Sequence, residues 1–264
     1  MWERYWQLSC DPFVEADSPF VATPMHAEAV ARLVHVIEAG HRLGILKAPA
    51  GLGKTRALTE ALTATRGSAR RVALVSSPAD GTALIAELAE RLGRRVPLGS
   101  PRSLAWRRLA EAVRLCHWQG IDVLLAIDDC HHLATALDRI DLERLIHVAP
   151  RSEARVTVLQ VGREPGLESP VAVDWALSIC LAPLTRSEAE LYITAKLAVA
   201  GRAGLTFTPR ALTCLHALSG GVPRGLDRLA SLALIAGAAR GLEVISPEVV
   251  EAVSRECVPA GSEN

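Results

Sequence analysis

The residues from Gly44 to Thr55 have the types and order that bind a nucleotide phosphate. A short apolar run leads into a glycine-rich loop, and Lys54 and Thr55 follow where a helical pattern begins. The two loop glycines allow backbone angles that other residues avoid, so several N–H groups can point into one concavity. The N-terminus of the following helix adds its positive dipole end and further unpaired N–H groups. This order of strand, loop and helix predicts a phosphate-binding loop of the G-x-x-x-x-G-K-[ST] type.

Each position of this loop receives a specific role. Lys54 is expected to reach the β- and γ-phosphates of ATP, and the Thr55 hydroxyl is expected to bind Mg²⁺. The predicted nucleotide-binding set is Ala48, Pro49, Ala50, Gly51, Leu52, Gly53, Lys54, Thr55 and Arg56. Ala48 stands where the motif has its first glycine, a departure of one methyl group.

An ordinary surface turn is the alternative interpretation of this glycine-rich stretch. The chain has 29 Lys and Arg residues in total, but its lysines stand only at positions 47, 54 and 196. A lysine at the one position where the loop needs a compact point charge therefore favours the phosphate site.

A second diagnostic stretch is the apolar run from Ile121 to Ile127, which ends in Asp128 and Asp129. A hydrophobic strand that ends in paired acids is the pattern of a Walker B element. Asp128 is expected to bind the Mg²⁺ ion, usually through water, and Asp129 to orient and deprotonate the attacking water. The same acids could instead cap the next helix, but together with the phosphate loop they favour magnesium. The neighbouring Cys130-His131-His132 is not expected to bind a metal, because adjacent histidines point in different directions.

Composition narrows the classes of protein further. Lys and Arg balance Asp and Glu at 29 each, which weakens the case for a dedicated nucleic-acid binder. The six cysteines form no C-x-x-C pair, so we expect reduced, buried thiols and a cytoplasmic protein. No uninterrupted apolar run of about 18 residues occurs, which predicts no membrane span. The N-terminus also lacks the profile of a signal peptide.

Strand and helix patterns alternate through the first two-thirds of the chain. Strands are predicted near residues 44–47, 71–78, 121–127, 155–163 and 176–181, with helices at 26–40, 56–62, 82–92, 103–118 and 136–148. Two further strand–helix units are expected between the phosphate loop and the paired acids. From Leu184 the pattern is helical throughout, and four helices begin at cap or proline signals such as Thr185-x-x-Glu188.

Taken in order, these motifs resemble the layout of AAA+ ATPases. The sequence is similar to the general secretion pathway ATPases of the ExeA/GspA type and to the related TniB-like proteins over nearly the whole chain. The resemblance rests on Leu8–Phe13, His26-x-Glu28-Ala29, the phosphate loop, Ile127-Asp128-Asp129 and Ser219–Arg224. It implies an α/β fold, a P-loop NTPase three-layer sandwich with a predominantly parallel sheet and a small C-terminal all-helical lid. The expected divisions are an arm at 1–24, a nucleotide-binding domain at 25–183, a lid at 184–258 and a tail at 259–264.

The resemblance also implies a function, an ATP-binding module that hydrolyses ATP between the α/β domain and the lid and acts on a protein partner. Arg224 is by analogy the sensor-2 arginine that reaches the γ-phosphate, although a surface arginine at a helix start is the alternative. Secretion members continue into a membrane span and a cell-wall-binding domain that this sequence does not contain. We therefore expect no membrane anchor of its own, and a homo-oligomer is a further expectation.

Three departures from the family affect the expected catalysis. The family usually has Glu where this chain has Asp129. It usually has Gln, which acts as sensor 1, where this chain has Arg163. Either Arg163 or Gln160 therefore takes the sensor-1 role, or neither does. No arginine occurs from Glu164 to Thr185, which leaves Arg163, Arg155 and Arg151 as candidates for an arginine finger. Such a finger is worth about 10³–10⁵ in rate, so hydrolysis is expected to be slow. The alternatives are a weakly hydrolysing nucleotide switch and a TniB-like DNA transposition accessory factor, the latter suggested by the arginine-rich loop from Arg91 to Arg102.

Overall fold

A computed structural model describes residues 2–14, 20–67, 69–133, 135–148, 155–163, 176–202 and 204–256. The strands are β1 (Leu43–Lys47), β2 (Arg70–Ser76), β3 (Asp122–Asp128), β4 (Val156–Gly162) and β5 (Ala176–Cys180). The first six helices are α1 (Trp2–Tyr5), α2 (Pro24–Ala39), α3 (Lys54–Ala64), α4 (Gly81–Arg91), α5 (Arg102–Trp118) and α6 (Ala136–Ile146). The last four are α7 (Arg186–Val199), α8 (Pro209–Ser219), α9 (Pro223–Ala239) and α10 (Pro247–Glu256).

All five strands form one parallel sheet in the order β2-β3-β4-β1-β5. This confirms the predicted α/β fold with a parallel sheet. Since the strands run in the same direction, their carboxyl ends meet at one edge, where ligands bind in open α/β sheets. The loop after β1 and the acids that end β3 therefore lie at the same edge.

Helices cover both faces of this sheet, as a three-layer sandwich requires. On one face, alternate residues of the strands, such as Ile45, Leu125 and Val158, pack with α4, α5 and α6 in one buried cluster. On the other face, a methyl group added to Gly44 would lie 2.8 Å from Leu159 and 3.0 Å from Val36, which shows how closely α2 approaches the sheet. Both faces of the central strands are buried, so β3 and β4 are almost continuously apolar.

Among the described residues between β1 and β3, helix α3 is followed by a single strand, β2, and then by two consecutive helices, α4 and α5. The prediction of two strand–helix units in this interval was therefore wrong. The stretch between α4 and α5 is rich in Gly and Pro and has no apolar run that a buried strand would need. The two helices instead pack directly on the sheet beside each other.

The chain divides into two compact units, one comprising residues 25–50 and 54–181 and the other residues 1–24, 51–53 and 182–264. The second unit contains α7 to α10, and the capping box of Thr185 and Glu188 forms as predicted. The N-terminal segment packs within this unit: the indole Nε1 of Trp6 donates to the Leu234 carbonyl at 2.8 Å, and Ser231 donates to Asp11 at 2.9 Å. The predicted tail 259–264 lies outside the described residues.

The described cysteines are all free, but they do not share one environment. Cys116 and Cys130 are buried, Cys10 and Cys214 are half-buried, and Cys180 is exposed. The expectation of buried thiols was therefore wrong for Cys180. This residue is the last of β5, which is an outermost strand of the sheet. In the part of the chain that the structure describes, no helix has the length and apolarity needed to cross a bilayer.

Candidate functional site

The phosphate loop has the backbone conformation that its glycines predicted. Gly51 and Gly53 have φ angles of 79° and 83°, in the left-handed region that other residues rarely adopt. Leu52 between them is fully buried and anchors the loop, whereas Pro49 and Ala50 are exposed. Ala48, at the position of the missing glycine, is buried with 2% exposure, so its extra methyl group packs inward.

Lys54 is the first residue of α3, and its ammonium group lies inside the loop. Its Nζ donates hydrogen bonds to the carbonyl oxygens of Ala48 and Pro49, both at 2.9 Å. The side chain is thus held at the loop by its own backbone. Arg56, two residues further along α3, is half-buried and pairs with Glu60 at 3.6 Å.

Thr55 and Asp128 lie together, although they are far apart in sequence. The Thr55 hydroxyl donates to Asp128 Oδ2 at 2.7 Å, and the Asp129 backbone N–H donates to Asp128 Oδ1 at 2.9 Å. Thr55 is the second residue of α3 and Asp128 ends β3, so the parallel sheet brings the two predicted metal ligands into contact.

Asp128 is a carboxylate in an unfavourable environment, since only 3% of the residue is exposed. Burial raises the pKa of Asp128 above its ordinary value, the hydrogen bond from Thr55 opposes this, and the charge of Asp129 adds to it. A buried carboxylate next to a hydroxyl oxygen suits a hard divalent cation such as Mg²⁺. The donor atoms present therefore fit the ion that the sequence predicts.

Asp129 directly follows β3 and has a left-handed backbone, with φ 53° and ψ 34°. Its side chain is 38% exposed, and Oδ1 lies 3.6 Å from Nδ1 of His131. The Ser77 hydroxyl, which follows β2, donates weakly to Asp129 Oδ2 at 3.4 Å. Sequence reasoning missed Ser77, although a polar residue after the strand next to β3 is a signal that could have found it.

His131 is the second residue that sequence reasoning left without a role. Both of its ring nitrogens are buried and have no hydrogen-bond partner among the residues that the structure describes. Burial lowers the pKa of His131, and the nearby charges of His132 and Arg163 lower it further. The neighbouring Cys130 donates its thiol to the Val161 carbonyl at 3.1 Å, and burial raises its pKa to about 12. A thiol held protonated in this way is a poor metal ligand.

The two sensor-1 candidates lie in different places. Gln160 is 3% exposed and pairs in register with Ile45 and Ile127, so it shares their face of the sheet. Asp128 lies on the opposite face, because side chains alternate along a strand. Arg163 follows the carboxyl end of β4, is exposed and lies near enough to His131 to affect its pKa.

The other arginine candidates are placed as follows. Arg155 directly precedes β4 and so lies at the amino ends of the strands. Its guanidinium lies 3.7 Å from Asp122 and donates to the Glu38 carbonyl at 3.2 Å. Arg151 lies outside the described residues. Arg224 is exposed in the first turn of α9, and its backbone N–H donates to the Gly51 carbonyl at 3.2 Å within the helical unit.

Comparison with known proteins supports the assignment that this geometry suggests. The family model described as an AAA domain matches residues 37–169, which contain the phosphate loop and both acids. The chain belongs to this AAA domain family. It is also 25% identical over 251 residues to general secretion pathway protein A of Aeromonas hydrophila, covering 91% of this chain. The match spans only 46% of the length of that relative.

Solved structures show the same fold at lower identity. Cdc6p from Pyrobaculum aerophilum aligns with a TM-score of 0.71 and 20% identity over 95% of this AAA chain and 72% of its own. The Aeropyrum pernix ORC1 protein, solved in complex with DNA, aligns with a TM-score of 0.71 and 18% identity over 93% of this chain and 68% of its own. These similarities confirm the P-loop ATPase fold.

Proposed function

We propose that this AAA protein binds Mg·ATP and hydrolyses it slowly to control a protein partner. The observation that carries the proposal is the 2.7 Å contact between Thr55 and buried Asp128, next to a loop that holds Lys54. Two oxygen ligands of the kind Mg²⁺ prefers meet beside a cradle of backbone N–H groups.

Each residue then has a chemical task. Loop N–H groups and Lys54 bind the phosphates, and Thr55 and Asp128 hold the Mg²⁺ ion, which neutralises charge on the phosphate oxygens when bound. Asp129 orients and deprotonates the attacking water, while a hydrogen bond from Ser77 restrains its carboxylate. Arg163 and Arg224 are our candidates for the arginines that contact the γ-phosphate.

Nucleotide binding and turnover by a Lys54→Ala variant test this proposal. We expect binding of a fluorescent ATP analogue and ATP hydrolysis to fall by about tenfold or more, because the charge at the phosphates is lost. Thr59→Val is the matched control, since the Thr59 hydroxyl lies on the same helix and donates to the Thr55 carbonyl at 2.9 Å. Wild-type binding by Lys54→Ala would contradict the proposal.

Slow hydrolysis is supported by the short side chain and left-handed backbone of Asp129. Tight ATP binding with product formation at the background rate would favour a nucleotide switch. A rise of turnover per chain with protein concentration would instead indicate that copies of this chain complete each other's sites. The relative's name suggests a secretion-related partner, and that pathway is part of the proposal.

DNA is the second candidate partner, and it is supported by the loop between α4 and α5. Arg91 at the end of α4 and Arg95 in the loop are exposed, and Arg94 is half-buried. If this loop binds DNA phosphates, replacing Arg94 and Arg95 by Gln should weaken DNA binding. The slope of the logarithm of the binding constant against the logarithm of the salt concentration should fall by about one unit for each lost contact. Absence of DNA binding at low salt would remove this candidate.

A further inference from the structure

The first part of helix α6 turns two acids inward and two aliphatic residues outward, whereas Leu145 and Ile146 near its end are buried in the ordinary way. Asp138 and Asp141 are buried, with 7% and 0% exposure, whereas Leu137 and Ile140 are 60% and 47% exposed. A surface helix ordinarily turns its apolar residues inward and its charges outward. The exposure of Leu137 and Ile140 is therefore unusual for a surface helix.

The inward orientation of the two acids is built by specific contacts. Asp138 Oδ1 accepts the Gly81 backbone N–H at 2.8 Å, and its other oxygen closes the capping box with Thr135. Asp141 Oδ1 accepts from Arg102 Nε at 3.1 Å and from the Trp106 indole at 3.0 Å.

Gly81 shows how closely the acids pack, because an added methyl group would overlap Asp141 Oδ2 and lie 2.9 Å from Asp138 Oδ1. Rotating α6 to bury Leu137 and Ile140 would break all of these bonds. The helix is therefore fixed with its aliphatic residues outward.

The exposed charges of α6 beside these aliphatic residues are two arginines and one acid, Glu143. Arg139 and Arg144 are exposed on α6, and the guanidinium of Arg144 stacks 4.7 Å from the centre of the Trp106 ring. The guanidinium of Arg102 is partly exposed and donates to the Leu137 carbonyl at 2.8 Å. Since two of the three acids of α6 point inward while both of its arginines are exposed, the surface combines an apolar ridge with a net positive charge.

We propose that the α6 surface, defined by Leu137, Arg139, Ile140 and Arg144, docks an acidic amphipathic helix of a partner protein. Aliphatic residues at i and i+3 form a ridge that fits the apolar groove of another helix. The flanking arginines complement carboxylates, whereas a DNA backbone would make no use of the aliphatic ridge. The proposal goes beyond ATP binding and requires no nucleotide.

A binding titration with a designed peptide tests this surface. The probe is a fluorescent three-heptad helix with Leu at a and d and Glu at the remaining positions, compared with a scrambled peptide of the same composition. We expect the amphipathic peptide to bind and the scrambled one to bind about tenfold more weakly. The Leu137→Ser/Ile140→Ser variant should lose about tenfold in affinity or more.

The matched control is Leu191→Ser/Val199→Ser, which removes two aliphatic side chains of α7 that are 68% and 56% exposed. This control should bind like the wild type, and Arg139→Glu should weaken binding in a salt-dependent way. Circular dichroism melting checks that each variant is folded.

Several outcomes would overturn the proposal. They are no binding of the amphipathic peptide, equal binding of the scrambled peptide, or unchanged binding by Leu137→Ser/Ile140→Ser. Tighter binding of mixed-sequence duplex DNA that depends on Arg139 but not on the aliphatic residues would make the surface a DNA site and would equally refute it.

Discussion

The ion pair between Arg102 and Asp141 offers the sharpest test of how α6 is held. Asp141 has no exposed surface, and it accepts from Arg102 Nε at 3.1 Å, with Arg102 Nη2 lying 2.6 Å from its second oxygen. Arg102→Met would keep most of the side-chain volume but remove the charge. Asp141 would then be buried with the Trp106 indole as its remaining hydrogen-bond donor among the described residues.

The size of the effect follows from this burial. Removing one partner of a buried ion pair costs about 3–5 kcal/mol. Because the Arg102 side chain keeps 28% exposure, we take the lower end, about 3 kcal/mol. At about 2–4 °C per kcal/mol for a chain of this size, the melting temperature should fall by about 6–12 °C.

Thermal unfolding followed by circular dichroism measures this change. The control is Arg108→Met on the same helix, which loses only a surface pair with Glu111 at 3.0 Å and should change stability by about 1 kcal/mol or less. Adding Asp141→Asn to Arg102→Met should restore much of the lost stability, since no buried charge then remains unpaired. A melting temperature within about 1 °C of the wild type for Arg102→Met would refute the reasoning.

Two further predictions concern α6 and the proposed general base, Asp129. Burial raises the pKa of Asp138, but hydrogen bonds from Thr135 and Gly81 outweigh it and leave the pKa below its ordinary value. The folded protein therefore gains stability from Asp138 above the ordinary pKa of about 4 and loses it as the pH falls through the lowered value. Asp138→Asn should lower the free energy of unfolding by about 1.5–3 kcal/mol at neutral pH. Urea unfolding should show that the difference in this free energy between wild type and variant becomes smaller in acid. A difference that does not change with pH would contradict the lowered pKa of Asp138. Asp129→Glu should raise ATP turnover by about tenfold, because the added methylene extends the base toward the water, and unchanged or slower turnover would count against Asp129 as the base.

Much of the fold follows from local sequence patterns. Strands buried on both faces, such as β3 and β4, are almost continuously apolar, and caps such as Thr185 mark where helices begin. These signals involve neighbouring residues, so the sequence displays them directly. The contact of Thr55 with Asp128 also follows from strand order once both motifs are recognised.

The remaining features depend on contacts between distant segments. Nothing in the sequence of α6 indicates that Asp138 and Asp141 are buried, because their partners Gly81 and Arg102 lie on other helices. For the same reason the restraint of Asp129 by Ser77 was not predicted. It arises only because β2 lies beside β3 in the sheet.

The central claim is that Thr55 and Asp128 together hold the magnesium of a bound nucleotide. The most direct measurement is the affinity for a slowly hydrolysed ATP analogue, titrated with and without Mg²⁺, in the wild type, Thr55→Val and Asp128→Asn. We predict that Mg²⁺ tightens binding by about tenfold or more in the wild type and in the Thr59→Val control, and has little effect in the two site variants. Equal Mg²⁺ dependence in all four proteins would contradict the claim.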